Sequence, residues 1–231
     1  MNHLYEYIRQ LTAIKRRRHH PLIHKLHKEY QLSRKTLFYL KEYGPHSHVA
    51  KTILRESIKI LVLASLISSL GGLALESIKD VFISIMPLII ILPALNDMVG
   101  NYGTVISSRF STLLHEGRIK RNVWTNPDIK QLFMQVTITS LITSLMCASL
   151  SLIISYISGF SFNFALALKI FAIVLLNTGI LVGMIFIISI LAGLHFYRKK
   201  EDPNNFLIPI TTSIADFGNM IILALFIILF F

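Results

Sequence analysis

Five long apolar runs fill the chain from Ile53 to its last residue, Phe231. Each is long enough to cross a hydrocarbon layer of ~30 Å at ~1.5 Å per helical residue. Inside a bilayer the backbone N–H and C=O groups must be satisfied within the segment, so runs of this length predict helices. The expected spans run from Ile58 to Leu75, Val81 to Ser108, Leu132 to Ile157, Ala165 to Phe196 and Phe206 to Phe231. Charged residues make up 15% and hydrophobic residues 53% of the chain, against about 25% charged in a soluble domain. The fold class expected is therefore an all-α integral membrane protein with five transmembrane helices per chain. Residues 1–52 read as a basic cytoplasmic segment and residues 53–231 as a five-span transmembrane domain, with nothing left over for a second globular domain.

A net charge of +11 raises nucleic acid as a partner, but the distribution of charge gives a simpler account. Of the 23 Lys and Arg residues, 21 fall before the first span or at its edge, between Arg109 and Lys130, or at Arg198-Lys199-Lys200. Alternate connections are thus basic, which fits an odd number of spans with a cytoplasmic N-terminus and an extracytoplasmic C-terminus in the cell membrane. The expected partner of these charges is a bilayer with anionic headgroups near the N-terminal segment, and no nucleic acid. The first fifty residues hold no apolar run, so the first span is expected to act as its own insertion signal. Cys147 is the single cysteine and lies inside an apolar run, so no intrachain disulfide forms. Within the N-terminal segment, Ser33 and Gly44 bound a predicted helix to Tyr43. His20, His24 and His27 have helix-face spacing, but Pro21 interrupts that helix and weakens a metal reading.

The fourth span, about 32 residues or ~48 Å, exceeds the bilayer and implies tilt or a protruding end. Gly179 and Gly183 give it a small-xxx-small pair, and the third span is rich in Ser and Thr; packing is the expected role of both.

Chemistry enters with the acids. A carboxylate at the centre of a membrane helix costs about 2.5–3.5 kcal/mol on insertion scales, so each one demands a compensating partner. Asp216 lies ten residues inside the fifth span, and Thr212, Asp216 and Asn219 share one helical face. Asp97 lies in the second span, twelve residues before Arg109. Pro87, Pro93, Gly100 and Gly103 make that span a poor plain helix, and a broken stretch is expected around Asn96, Asp97 and Asn101. Unwound backbone at membrane depth is tolerated where it lines a cavity, and there transporters coordinate cations. Carboxylates, amide oxygens, carbonyls and hydroxyls are hard ligands suited to Mg²⁺ or Ca²⁺.

The run PALNDMVGNYGTVISSRFSTLLHEG, Pro93 to Gly117, resembles the proline-to-glycine-asparagine signature of the MgtE and solute carrier 41 family. DPNNFLIPITTSIADFG, Asp202 to Gly218, is similar to that family's second motif, which runs from Asp-Pro to a deep aspartate. The resemblance covers about residues 55–231. It implies a ten-helix homodimer with a pore along the twofold axis, lined by the second and fifth spans, that moves Mg²⁺ as its transported ion. It also implies that Asp216 is the deep pore aspartate and that Gly100 and Asn101 line the path. The metal-facing set expected is Asp216, Asp97, Asn101, Gly100, Asn96, Thr212 and Asn219. Asp97 departs from the bacterial pattern, and a basic N-terminal segment of about fifty residues is not expected to hold the soluble regulatory domains of bacterial relatives.

Three other readings stay open at this point. One is Na⁺- or H⁺-coupled exchange of Mg²⁺. Another is a membrane scaffold whose polar face packs subunits. The third, an intramembrane aspartyl hydrolase using Asp97 and Asp216, lacks the residues expected around the two acids. His115-Glu116 does not start a zinc motif either, because Ile119 stands where a second histidine is required.

Overall fold

In the computed structural model, residues 25, 28, 49–119, 123–199 and 202–231 are described. The helix expected from Ser33 to Tyr43 and the histidines His20, His24 and His27 lie outside the described residues. The described part contains helices α1 (Val49–Glu76), α2 (Lys79–Ser84), α3 (Met86–His115), α4 (Pro127–Ile157), α5 (Phe164–Lys199) and α6 (Pro203–Phe230). Five of these, all except the short α2, are long and apolar enough to cross a membrane.

Local chemistry sets the helix ends. Asn126 Oδ1 accepts from the Asp128 backbone N–H at 2.8 Å, with Pro127 in the first turn where its missing donor costs nothing. Asp202 caps α6 in the same way, accepting from the Asn204 N–H at 3.0 Å ahead of Pro203. At the other ends, Gly117 (φ 70°) closes α3 and Gly159 (φ 86°) closes α4. Arg118 N–H reaches Leu113 O at 3.2 Å and Phe160 N–H reaches Ser155 O at 3.0 Å, the six-to-one bond of a Schellman stop, which needs a residue at positive φ.

The second span is broken, but at Ile85 and not around Asn96 to Gly103. Ile85 separates α2 from α3 (φ −115°, ψ 87°), as the N-cap of a helix whose first turn holds Pro87. From Met86 to His115 the backbone is one helix, with Pro93 inside it. An internal proline removes only its own bond to the carbonyl four residues back, here that of Ile89. The carbonyls expected to be free near Asp97 are therefore part of a helical ladder, and the side chains are what the site can offer.

The helices form a bundle in which α6 packs against α1, α3 and α5, while α3, α4 and α5 pack against one another. Apolar side chains such as Leu95, Ile106 and Phe110 of α3, Leu181 and Ile185 of α5, and Leu207 of α6 are fully buried between them. Lipid offers no hydrophobic gain for helix association, so close fit decides it. A Cβ placed on Gly103 would stand 3.0 Å from Thr211 Cβ, and one on Gly193 would stand 2.7 Å from the Phe110 ring. The α4 hydroxyls mostly bond back to their own helix, as with Ser144 to Leu141 O at 2.9 Å and Ser149 to Leu145 O at 2.8 Å. Thr143 also meets the Tyr102 hydroxyl of α3. Large apolar residues such as Leu66 and Leu70 of α1 and Ile142 and Ile153 of α4 face outward, as a lipid environment requires.

Candidate cation pathway

Two polar rungs join α3, α5 and α6. In the first, Asn177 of α5 donates its amide to Asn219 Oδ1 of α6, and Asn219 in turn donates to Asn96 Oδ1 of α3. In the second, the buried Ser107 hydroxyl of α3 lies 3.5 Å from Ser189 Oγ of α5 and 3.4 Å from Thr211 Oγ1 of α6. Asp216 sits on α6 between the two rungs, so its height in the membrane is fixed from both sides.

The carboxylate itself points elsewhere. Asp216 Oδ2 accepts from the Ser68 hydroxyl of α1 at 3.3 Å, and the group is half-buried. One turn earlier, Thr212 Cγ2 lies against Gly100 of α3, 3.6 Å from where a Cβ would be. Asp216 therefore lies on the flank of α6 between α1 and α3. An ionised carboxylate can accept about four hydrogen bonds, and a single long one from a hydroxyl leaves most of that capacity open. Ion pairs among the described residues lie at helix ends, Lys79–Glu76 at 2.5 Å and Arg118–Asp128 at 2.5 Å; no Lys, Arg or His pairs with Asp216 or Asp97.

Asp97 lies on α3 beside Asn96 and three residues before Gly100, hence level with the 212–219 stretch of α6. It is exposed, and its Oδ2 accepts from Asn101 Nδ2 at 3.0 Å one turn on. The same exposed face continues through Ser108, Thr112 and Glu116 at intervals of seven, four and four residues, interrupted only by Val105. A polar stripe thus runs from the basic end of α3 to mid-membrane. At that end a cleft of about 390 Å³ opens between α3 and α4, lined by Arg109, Thr112, Glu116, Arg118, Asp128 and Gln135 among others.

Of the residues predicted from sequence, Asp97 and Asn101 lie together on the exposed stripe. Gly100 and Thr212 form the contact between α3 and α6, and Thr212 bonds back to Ile208 O at 2.8 Å. Asn96 and Asn219 are joined to each other, each carbonyl already accepting a bond, so they brace the helices beside the carboxylates. Asn177 and Ser68 were not foreseen. An amide in the middle of the most apolar span, FAIVLLNTGILVG, was a visible signal for Asn177; Ser68 carried none.

Fold and site together define a helical membrane protein with two carboxylates midway along its spanning helices, neither paired with a base among the described residues, one of them on a polar stripe. The chain belongs to the MgtE family, described as divalent cation transporters, whose model matches residues 92–226 and so takes in both motif regions. It is 26% identical over 191 residues to human solute carrier family 41 member 2, a match covering 76% of this chain and 32% of that protein. The chain thus spans about a third of the length of this curated relative. No solved structure matches it.

Proposed function

We propose that this protein carries divalent cations, Mg²⁺ foremost, across the membrane along the polar stripe of α3, with Asp216 as the principal binding group and Asp97 as a second carboxylate. The observation that carries this reading is the exposure of Asp97, Asn101, Ser108 and Thr112 on a helix that otherwise suits a bilayer. Polar side chains at that depth belong against water or another protein surface. Two copies meeting along this face enclose the stripe and bring two sets of carboxylates to one axis, a homodimer of ten spans.

The ligands favour a hydrated ion. Among the described residues no three His, Cys, Asp or Glu side chains converge, so a fully dehydrated metal has no dedicated cage. Mg²⁺ sheds water reluctantly and is commonly held through one or two carboxylates with its waters retained. Hydroxyls and amides along the stripe accept and donate to that water shell. Metal transport accounts for carboxylates that a scaffold leaves uncompensated, and helix packing already has its own polar rungs.

Purified protein in liposomes, followed with an entrapped Mg²⁺ indicator, tests the reading. Mg²⁺ entry down its gradient, absent from empty liposomes, is the expected result; no flux under any imposed gradient rejects transport. Imposed Na⁺, H⁺ and voltage gradients distinguish a passive pathway from coupled exchange. A rate that follows Na⁺ or pH at fixed voltage establishes coupling.

A further inference from the structure

Between α4 and α5, on the outer face of the bundle, a groove of about 360 Å³ is lined by Trp124, Ile129, Lys130, Phe133, Gly183 and Ile187, with Phe186 beside them. Its floor is Gly183, where a Cβ would meet nothing within 4 Å. Phe133 and Phe186, with ring centroids 4.8 Å apart, stand along it, and Ile187 is 48% exposed. The mouth carries Lys130 and the half-exposed Trp124, at the start of α4 and next to the basic 109–130 connection. Asp128, the nearest acid in sequence, is held by Arg118 at 2.5 Å, and Lys130 has no carboxylate partner among the described residues.

We propose that this groove holds one acyl chain of an anionic phospholipid, with the Lys130 ammonium on the lipid phosphate and the Trp124 indole at the glycerol level. Its volume lies within the ~300–1,000 Å³ of ordinary small-molecule sites. A cation and a tryptophan at the rim of an apolar slot reproduce the order of the bilayer itself: charged headgroup, amphipathic interface, hydrocarbon. A second helix is a poorer occupant. Helix axes approach to about 8–10 Å across small residues, whereas here only Gly183 of the Gly179/Gly183 pair lines the groove, and the Phe133 and Phe186 rings and Ile187 stand around it.

Trp124 is the only tryptophan, so its fluorescence reports this site alone. The full chain is reconstituted with phosphatidylglycerol or phosphatidylcholine brominated on the acyl chain, at matched mole fractions. Quenching by brominated phosphatidylglycerol is expected at about fivefold lower mole fraction than by brominated phosphatidylcholine, as one juxtamembrane lysine implies. Lys130→Gln, an exposed substitution, should abolish that difference while leaving quenching by phosphatidylcholine unchanged. Gly183→Leu should fill the floor and weaken quenching by both lipids. Equal quenching by the two lipids in the unsubstituted protein overturns the proposal. So does quenching by neither, which would mean that protein, such as a second copy, covers the groove. None of these readings depends on cation flux.

Discussion

Asp216 has one hydroxyl donor 3.3 Å away, polar rungs above and below, and no base beside it among the described residues. An uncompensated charge there is costly, and on the proposed reading a cation that arrives, binds and leaves removes the cost without locking the site. Asp97 shares the level but is exposed on the stripe, already bonded to Asn101. Asp97→Asn keeps an oxygen ligand and loses one charge, so Mg²⁺ flux should fall by less than about tenfold, ~1.4 kcal/mol, with apparent affinity weakened; unchanged affinity and rate remove Asp97 from the path. Asn177→Ala tests the bracing role of the amide rung. It leaves Asn219 Oδ1 without its donor, and interhelical bonds of this kind average ~0.6 kcal/mol and reach ~1.7 kcal/mol in membranes. Thermal unfolding in detergent should shift downward accordingly; an unmoved transition shows the rung to be dispensable. The acids were legible in the sequence because a carboxylate in an apolar run has few explanations. The rungs were not, since a buried Asn or Ser shows its presence in a helix without showing which helix it meets.

Helix α3 combines two faces with different tasks. Its buried face carries Gly103 against Thr211 and Phe110 against Gly193, setting the distance to α6 and α5. Its exposed face carries the stripe. Gly103→Val should therefore lower stability by about 1–3 kcal/mol through overpacking and push α6 with Asp216 away from α3. Gly179→Ala, where a Cβ meets nothing within 4 Å, should stay within about 0.5 kcal/mol. Melting curves of the two variants compare them directly, and equal shifts contradict the assigned packing. The five spans could be read from run length, and the caps at Asn126 and Asp202 explain why α4 and α6 begin earlier than predicted: a capped polar turn still winds. The second span breaks at Ile85 and not near Asp97 because its two prolines differ in place. Pro87 sits in a first turn, where it starts a helix; Pro93 sits inside one that packing holds together.

Among the described residues α6 is the hub, α1 lies against it over Asp216, and the α3 stripe is left open to one side. That open polar side is what a second copy is proposed to close. Ser108→Cys, in a chain whose one native thiol is removed by Cys147→Ala, should form an inter-chain disulfide in membranes under mild oxidation. Failure to cross-link, with the new thiol freely labelled by a lipid-soluble maleimide, places the stripe away from a subunit interface. The N-terminal basic charge could be read only as a membrane-side preference, because periodicity carries no information about headgroups. The most direct test of the central claim is initial Mg²⁺ uptake by proteoliposomes holding equal amounts of folded wild-type and Asp216→Ala protein. A fall of about tenfold or more, ~1.4 kcal/mol, with an unchanged elution profile is the expected result, and full uptake by the Asp216→Ala protein contradicts it.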